Sequence, residues 1–466
     1  MADIVETKLE TSEAIPEHTY PKLSILQCLG LGSGGIPDIG MQYAMKNMAN
    51  PIFNVIYGVD PVLIGIAFSL PRFWEILIDP WIGALSDRTH SKMGRRHPYM
   101  IWGGIFGFLT FAMVWFVPKG MSATMAGWWL IAFALAHFTA YSFFMVPYSA
   151  LLGEVSTVPS ERMKAMSFRT AFVSVGTFLM GWIYWLCQRD CFENTAEGMK
   201  YVGIGFGLLL LLGSVLPIFV CKENRKYHAV AEKGEEKLKE FAVLKELWAL
   251  KSFRGILLAI FCLLTCSLLV SNLGFYISLC YMFGGDTKAV AILGGISATI
   301  NSTAVIFFCP VVNYCAKKLG EKPTLYLFMV IAMIGYILTF WAATPEHPYW
   351  AIYTGILGNF GMTAFWVIMP ALTGELGREH EKETGHSIYG SFYAMYGMAI
   401  KIGASVGLLF TGVILNLTGY HASHGIAQPE STIFLMRVLN TVVPTVGMLI
   451  AMYCIYVSLN RVKKAN

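Results

Sequence analysis

The chain has 466 residues, of which 56% are hydrophobic and only 14% are charged. A soluble domain carries about 25% charged residues, whereas a bilayer crossing needs about 20 apolar residues in a row. The hydrophobic residues form long runs between short polar segments, so the composition excludes a soluble domain and predicts a chain embedded in a lipid bilayer. The net charge of +5 is modest, and no nucleic-acid partner is expected.

The hydropathy pattern predicts twelve membrane-spanning helices. They lie at about 23–56, 61–86, 98–117, 124–153, 164–187, 198–221, 253–281, 286–314, 324–343, 348–375, 386–416 and 431–458. The first stretch is too long for one straight crossing, and Gly34, Gly35 and Pro37 allow it to kink. The expected fold class is therefore an all-α membrane protein of twelve transmembrane helices.

The polar segments divide this chain into two six-helix bundles, at 23–221 and 253–458. A polar N-terminal tail is expected at 1–22, a central loop at 222–252 and a C-terminal tail at 459–466. The second part of the central loop has apolar residues at helical spacing (Phe241, Leu244, Leu247 and Trp248), which predicts a helix lying along the membrane face.

The basic residues indicate the orientation of the chain. With both termini in the cytoplasm, the inner segments hold 25 of the 34 Lys and Arg residues, and the central loop is the richest of them. Because cytoplasmic loops of membrane proteins carry an excess of Lys and Arg, we expect a multi-pass protein of the plasma membrane with both termini inside.

The two halves resemble each other in sequence. The segment DPWIGALSDRTHSKMGRRHPY (79–99) has a counterpart in CPVVNYCAKKLGEKPTLYL (309–327), and MVPYSALLGEV (145–155) has one in VIMPALTGEL (367–376). Both offsets are close to half the chain, which indicates a duplicated six-helix unit. In transporters built from such parallel halves, the solute site lies between them near the bilayer midplane.

The second predicted span carries three charged residues on one helical face, namely Arg72, Glu75 and Asp79. A charged side chain at the bilayer centre costs about 2.5–3.5 kcal/mol, so these residues need partners or a function. Two carboxylates one turn apart favour a bound cation such as Na⁺ or Li⁺, or a proton. The alternative is an Arg–Glu pair that only holds helices together.

Further polar residues lie in other spans. Asp38 and Gln42 share a face of the first span, where Asp38 either accepts hydrogen bonds or caps a helix after Pro37. Lys401 lies in the middle of the eleventh span, far from any loop, which favours a water-filled cavity. Lys46 is nearer a span end, where snorkelling toward the interface is the default expectation.

The block RFWEILIDPWIGALSDRTHSKMGRRHPY (71–99 region) closely resembles the second span and following loop of the glycoside–pentoside–hexuronide:cation symporters, of which melibiose permease is typical. That family belongs to the major facilitator superfamily, and its pattern runs here from Arg72 to Pro98. The resemblance implies cation-coupled sugar uptake with Na⁺, Li⁺ or H⁺ as the coupling ion. It implies no cofactor, a sugar as the partner, and a monomer in the lipid bilayer.

The resemblance also assigns roles to residues by position. Glu75, Asp79 and Ser142 match residues that bind the cation. Asp38, Tyr141, Arg169 and Lys401 match residues at or near the sugar site. Gln42, on the same face as Asp38, and Trp366, near polar groups in the sequence, complete the candidates for binding the sugar, and Tyr141 and Trp366 could stack on a sugar ring. Arg72, Asp87, Arg88, Arg95 and Arg96 are the candidates for balancing charge and bracing the inner gate.

The sequence departs from melibiose permease at several positions. Ile78 replaces an Asn linked to cation selectivity, which leaves Na⁺ and H⁺ open. Met145 and Ser149 replace a sugar-binding Asp and Trp, so a galactoside substrate is not expected. Since one acid is missing beside Arg169 and Lys401, the pocket is expected to favour an anionic sugar such as a uronide.

Two other functions remain open, a lipid or lysolipid carrier of the same superfamily and a membrane sensor that does not transport. An enzyme is not expected, because no nucleophile–base pair, metal motif or phosphate loop is present and no catalytic residue can be assigned. Cys187 and Cys191 flank a predicted outer loop, but their spacing alone does not establish a disulfide.

Overall fold

The computed structural model describes residues 22–156, 158–220, 240–384, 389–421 and 424–462. The first part of the chain contains α1 (Ile25–Ser33), α2 (Gly35–Ala49), a π-helical turn (Asn50–Asn54), α3 (Pro61–Arg88), α4 (His97–Met113), α5 (Ala123–Glu154), α6 (Pro159–Gly181), α7 (Ile183–Leu186) and α8 (Thr195–Val220). The second part contains α9 (Glu240–Ala249), α10 (Lys251–Leu269), α11 (Leu273–Tyr276), a π-helical turn (Ile277–Met282), α12 (Thr287–Leu319), α13 (Glu321–Ala342), α14 (Trp350–Thr384), α15 (Tyr389–Leu417) and α16 (Glu430–Val462).

The all-helical membrane architecture expected from the sequence is confirmed. Within the described ranges, nine helices are long and apolar enough to cross a bilayer. The three remaining passages are the broken one formed by α1 and α2, the short α4, and α6, which starts with the charged residues Glu161, Arg162 and Lys164. Together these passages agree with the expected twelve spans.

The first passage, expected over 23–56, is kinked as its length and its glycines predicted: it breaks at Gly34 and ends in a π-helical turn that contains Pro51. A side chain at Gly34 would overlap the ring of Tyr148, and one at Gly35 would overlap the backbone oxygen of Arg169. The two glycines therefore let the backbone of this passage approach α5 and α6 closely, which small residues permit in membrane helices.

Other boundaries also differ from the expectation. The tenth and twelfth passages continue to Thr384 and Val462, about two turns and one turn beyond the expected ends. The helix expected in the central loop is present as α9, and its Leu247 is buried beside Phe253 and Phe392. Residues 1–21, 221–239 and 463–466, which hold the predicted tails and most of the central loop, lie outside the described residues.

The buried side chains form one large cluster in each half. The first lies mainly in the helices before the central loop, around large side chains such as Phe111, Trp115 and Phe144, and also includes Leu408 of α15. A second cluster joins α10, α13, α14 and α16 around Phe328 and Phe365. In a bilayer, such contacts stabilise helix association through van der Waals packing. The division at the central loop remains a prediction, although the core clusters agree with it.

The end of the bundle that holds Leu23, Arg88 and Glu154 is called the terminal end below. The opposite end, which holds Asp60 and Lys288, is called the distal end. At the distal end the halves approach closely, because Gly65 of α3 faces the backbone oxygens of Leu408 and Leu409 of α15, each 3.0 Å from the position that a Gly65 Cβ would take.

The cysteines near the distal end are not paired. Cys187 is buried and its thiol lies 3.4 Å from the sulfur of Met199, while Cys191 is exposed. Both are free thiols, so the disulfide that the spacing left open does not form.

Candidate functional site

The charged face of α3 lies inside the bundle. Arg72 Nη1 donates to both carboxylate oxygens of Glu75, at 3.0 Å and 3.3 Å. The guanidinium of Arg72 also lies over the ring of Phe138 on α5, 4.7 Å from the ring centre. Since only 1% of Glu75 is exposed, its charge is neutralised by Arg72 within the bundle. The one-turn spacing in the sequence predicted this contact.

Asp79 has a partner that the sequence did not identify. Lys401 of α15 forms an ion pair with Asp79 Oδ2 and so connects the two halves. The side chains of Asp79 and Lys401 are 25% and 29% exposed, so water reaches the pair. Lys401 was predicted to bind substrate, and the structure pairs it with Asp79, one of the residues predicted to bind the cation.

Two oxygen atoms near this ion pair have no hydrogen-bond partner among the described residues. They are Asp79 Oδ1 and Ser142 Oγ, and both are buried. Leaving a buried polar group unsatisfied costs about 1–3 kcal/mol, so this arrangement favours a ligand that supplies the missing interactions.

Ser142 lies on α5 at the level of Asp79. The parallel helices α3 and α5 are joined by a hydrogen bond from Trp74 Nε1 to Thr139 Oγ1 (3.1 Å) on the distal side of this level. One turn further toward the terminal end, Gly83 faces Val146, whose Cγ1 is 3.7 Å from the position of a Gly83 Cβ. Because Asp79 and Ser142 each precede this contact by four residues, they occupy facing positions one turn away.

The chemistry of this region fits a small hard cation. Na⁺ and Li⁺ prefer oxygen ligands, which Glu75, Asp79 and Ser142 provide. The arrangement also fits competition between a cation and the ammonium group of Lys401 for Asp79, because both are positively charged and only one carboxylate oxygen is occupied.

A second polar cluster surrounds Asp38. Arg169 of α6 pairs with Asp38 Oδ2 at 2.5 Å, while Tyr141 and Gln42 each donate to Asp38 Oδ1 at 3.2 Å. Asp38 is 5% exposed and lies one turn inside α2, so it accepts hydrogen bonds from side chains rather than capping the helix. Four of the six sugar-site candidates therefore form one cluster.

The two clusters are connected through Gln42. Its amide nitrogen lies 2.5 Å from the Tyr141 hydroxyl, and its amide oxygen accepts a hydrogen bond from Arg72 Nη2 at 3.2 Å. A continuous set of polar contacts thus runs from Arg169 on α6 to Glu75 on α3. Each bond in this network shares a partner with the next, so the side chains of the two clusters hold one another in position.

Trp366, like Lys401, is a sugar-site candidate that lies outside this network. It lies on α14 with 43% of its surface exposed, and its ring contacts Phe365. In the described part of the chain, Asp38, Gln42 and Arg169 make their hydrogen bonds with other residues.

The ion pairs that Arg95 and Arg96 form with described residues lie within the first half. Arg96 pairs with Asp87 at 2.6 Å, and both Arg95 and Arg96 pair with Glu154 of α5, at 2.7 Å and 2.9 Å. Arg88, also a gating candidate, shows no ion pair in the described ranges. Glu154 was missed as a member of this cluster, although its segment MVPYSALLGEV had been identified as part of the internal repeat.

The distal end is closed by residues that no pattern in the sequence identified. Asn54 Oδ1 accepts hydrogen bonds from Tyr276 (2.8 Å) and Tyr420 (2.9 Å), which belong to the other half. Asn54 is 1% exposed and Tyr276 is fully buried. Asn54 is more than 200 positions from either tyrosine, so only the folded chain brings them together. We call Asn54, Tyr276 and Tyr420 the distal gate.

A cavity of about 330 Å³ lies between the halves close to the distal gate. Its walls come from α2 and α6–α7 on one side and from α11 and α12 on the other, with Asn47, Ser278 and Ser297 as polar groups. Small-molecule sites have volumes of about 300–1,000 Å³, so the space is sufficient for a small solute.

Comparison with known proteins identifies the group to which this chain is similar. The chain is 24% identical over 475 residues to sodium-dependent lysophosphatidylcholine symporter 1 of Gallus gallus, covering 92% of this chain and 85% of that protein. It is 21% identical over 406 residues to the isoprimeverose transporter of Lactiplantibacillus pentosus, covering 84% of this chain and 80% of that protein.

The fold is that of solved transporters. A crystal structure of a bacterial homologue of the human lysosomal transporter Spinster, in an inward-facing and occupied conformation, superimposes with a TM-score of 0.66 at 14% identity. The alignment covers 94% of this chain and 96% of that chain. At this identity the match establishes the fold, which is the expected major facilitator fold.

The family itself follows from the match along nearly the whole sequence. A family model described as MFS/sugar transport protein matches residues 30–460, a range that holds α3, the Asp38 cluster and Lys401. The chain therefore belongs to the MFS/sugar transport protein family and is a multi-pass membrane transporter.

Proposed function

We propose that this protein is a secondary active transporter that couples the entry of a sugar to the entry of a cation. The proposal places the terminal end in the cytoplasm of the plasma membrane, in agreement with the distribution of Lys and Arg. Because the distal gate is closed while Asp79, Arg169 and Lys401 are each about a quarter exposed, the conformation described here is then inward-open.

The proposal rests on one observation, which is that the two carboxylate oxygens of Asp79 have different environments. One carboxylate oxygen pairs with Lys401 of the other half, and the second oxygen is buried without a partner at the level of Ser142. A residue that served only to hold the halves together would have both oxygens satisfied. A carboxylate that alternates between an ammonium group and a mobile cation needs a free oxygen.

The proposed cycle follows from this competition. A cation that enters between Glu75, Asp79 and Ser142 takes the place of the Lys401 ammonium group at Asp79. Cation binding therefore changes the ionic contact between the halves, which favours a different arrangement of α3 and α15. Coupling requires only that the cation and the sugar stabilise the same arrangement.

The sugar is proposed to bind beside the Asp38 cluster. Carboxylate, guanidinium, amide and phenol groups together provide donors and acceptors that match ring hydroxyls. When a cation occupies Asp79, the ammonium group of Lys401 is released, which leaves the site with a free positive charge. This supports a uronide, whose carboxylate would pair with that charge, as the sugar class.

The test is uptake into proteoliposomes under separate Na⁺ and pH gradients, with a panel of neutral glycosides and the matching uronides. We expect Glu75→Gln and Asp79→Asn to abolish accumulation against a gradient, while sugar exchange continues. Glu346→Gln, which changes an exposed carboxylate in a distal loop, is the matched control. Accumulation by both site variants at the wild-type level would refute the coupling proposal.

A lysolipid is the second candidate substrate, because one similar protein is named a lysophosphatidylcholine symporter. The same proteoliposomes distinguish the two, since they can be offered lysophosphatidylcholine and sugars in parallel. The polar lining formed by Asp38, Gln42, Tyr141 and Arg169 favours the sugar. If the protein transports lysophosphatidylcholine and no sugar in the panel, the lysolipid replaces the sugar as the proposed substrate.

A further inference from the structure

A long apolar groove lies on the lipid-facing surface of the first half. It has a volume of about 570 Å³ and runs between α3 and α4, over α5. Ala132 and Ala136 of α5 form its floor, whereas Trp74 of α3 and Trp102 and Phe106 of α4 form its walls. All five residues are exposed, and all belong to helices of the membrane bundle. The groove is therefore open to lipid.

The groove opens away from the proposed transport passage. Trp74 precedes Asp79 by five residues, which turns the two side chains to roughly opposite sides of α3. Asp79 points toward α15 of the other half, where it meets Lys401. An occupant of the groove is therefore not a solute in the passage between the halves.

The polar atoms inside the groove already have partners in the protein. Trp74 Nε1 donates to Thr139 Oγ1 at 3.1 Å, and the hydroxyl of Thr110 donates to the backbone oxygen of Phe106 at 2.7 Å. A ligand in the groove therefore has no hydrogen bonds to supply. The lining of small and aromatic side chains fits an apolar chain.

The length of the groove matches one leaflet of a bilayer. It extends along α4 from Tyr99, at the terminal end, to Thr110. These residues are eleven positions apart, which is about 16 Å along a helix, and half of the hydrocarbon core is about 15 Å. The hydroxyl of Tyr99 lies 2.6 Å from that of Thr89, in the loop that follows α3. The groove thus ends where lipid headgroups begin.

A basic side chain lies at this terminal mouth of the groove. The ring of Trp81 contacts Phe143 of the groove, with 6.4 Å between the ring centres. Arg88 follows Trp81 by seven residues, so it lies two turns further on the same face of α3. Arg88 is exposed and forms no ion pair with any residue that the structure describes.

The acidic side chains near the mouth are already engaged. Asp87 pairs with Arg96 at 2.6 Å, and Glu154 pairs with Arg95 at 2.7 Å. Lys92, in the loop after Arg88, is exposed and also lacks an ion pair within the described ranges. The orientation of the chain in the membrane accounts for bases at this end, but it does not account for an apolar groove that leads to them.

An apolar groove of one leaflet's length with a positive charge at its mouth matches an amphiphile with a negative headgroup. We propose that the groove binds an anionic phospholipid, with one acyl chain along Ala132 and Ala136 and the phosphate paired with Arg88. Apolar surface alone does not distinguish one lipid from another inside a bilayer, so the charge provides the selectivity. One basic residue near anionic lipid contributes about fivefold in affinity.

The experiment maps where a lipid binds on the purified full-length protein in detergent, and it does not depend on the transported solute. The probe is a phosphatidylglycerol with a photoreactive diazirine in one acyl chain, and mass spectrometry identifies the cross-linked peptides. We expect the cross-links to concentrate in 99–110 and 132–143. Unlabelled phosphatidylglycerol should compete, whereas phosphatidylcholine with the same chains should need about fivefold higher concentration.

Two variants with matched controls test the groove and the charge. Ala136→Phe fills the groove and should remove these cross-links, whereas Gly205→Phe adds the same ring to α8, where no atom lies within 4 Å of the new Cβ, and should not. Arg88→Gln should abolish the preference for phosphatidylglycerol. Lys251→Gln, which removes an exposed charge at the start of α10, should retain it.

Two results would overturn the proposal. Cross-links spread evenly over the lipid-facing helices, and unchanged in Ala136→Phe, would show that the groove holds only the lipid that surrounds the whole bundle. Equal competition by phosphatidylglycerol and phosphatidylcholine, with no effect of Arg88→Gln, would show that Arg88 does not bind the headgroup.

Discussion

Lys401 of α15 donates a hydrogen bond to Asp79 Oδ2 of α3, and this ion pair crosses between the two halves of the bundle. The other oxygen of Asp79 is buried and unpartnered in the described part of the chain. The same carboxylate therefore links the halves and keeps one oxygen available, as the proposed cation site requires. This double role makes the pair the most informative place at which to change the protein.

Replacing Lys401 by Met should tighten cation binding in the absence of sugar and abolish accumulation. The ammonium group competes with the cation for Asp79, so its removal is expected to increase the cation affinity by about tenfold, within the range of 1–3 kcal/mol found for coupled sites. Titration calorimetry with NaCl measures the affinity directly. Lys288→Met is the control, because Lys288 pairs with the exposed Asp190 (3.2 Å) at the distal surface. An unchanged cation affinity in Lys401→Met would show that no competition occurs.

Replacing Asp38 by Asn should weaken sugar binding and leave cation binding nearly unchanged. The substitution removes the charge that holds Arg169 and accepts from Tyr141. Hydrogen bonds to charged groups contribute about 1.5–3 kcal/mol, so the sugar KM is expected to rise by about 10- to 150-fold. Uptake at saturating and limiting sugar concentrations measures this change. Parallel loss of sugar and cation affinity would instead assign Asp38 a purely structural role.

Replacing Tyr276 by Phe should shift the protein toward the distally open state. The substitution removes the 2.8 Å hydrogen bond to Asn54 and retains the ring. A typical hydrogen bond contributes about 0.5–1.5 kcal/mol, which corresponds to a shift of about 2- to 12-fold in the population. Spin-label distances across the distal end report the two states. Tyr353→Phe, at a side chain that is 68% exposed, is the control, and equal distance distributions for the two variants would contradict the gate assignment.

Replacing Gly412 by Ala should prevent the distal end from closing. A methyl group at Gly412 would overlap the backbone oxygen of Pro61 in the other half. Overpacking costs about 1–3 kcal/mol, so the distally closed population is expected to fall by about 5- to 150-fold.

The matched control for this change is Gly397→Ala on the same helix, because no atom lies within 4 Å of the position that its Cβ would take. Labelling of a cysteine introduced at Ile64, which is 2% exposed and takes no part in the gate hydrogen bonds, measures access from the distal side. Labelling should be faster in the Gly412 variant than in the Gly397 variant, and equal rates would show that this contact does not limit closure.

Much of the fold was predictable because hydropathy and charge act locally along the chain. Runs of apolar residues indicated the helices, and the three-residue spacing of Arg72 and Glu75 indicated their contact. The kink in the first passage was expected from its glycines and prolines, whereas the close packing of Gly34 against Tyr148 depends on another helix and was not. Local patterns describe which face a residue occupies, and they do not describe what lies opposite that face.

The sequence by itself determined the helices, the two halves that its repeats suggest, and the set of charged residues that the membrane tolerates only at a cost. The tertiary structure alone decided the partners of those charges, namely Asp79 with Lys401 and Asp38 with Arg169. These partners are separated by 322 and 131 positions. Helical spacing acts over a few residues, whereas an ion pair between distant segments depends on how whole helices pack.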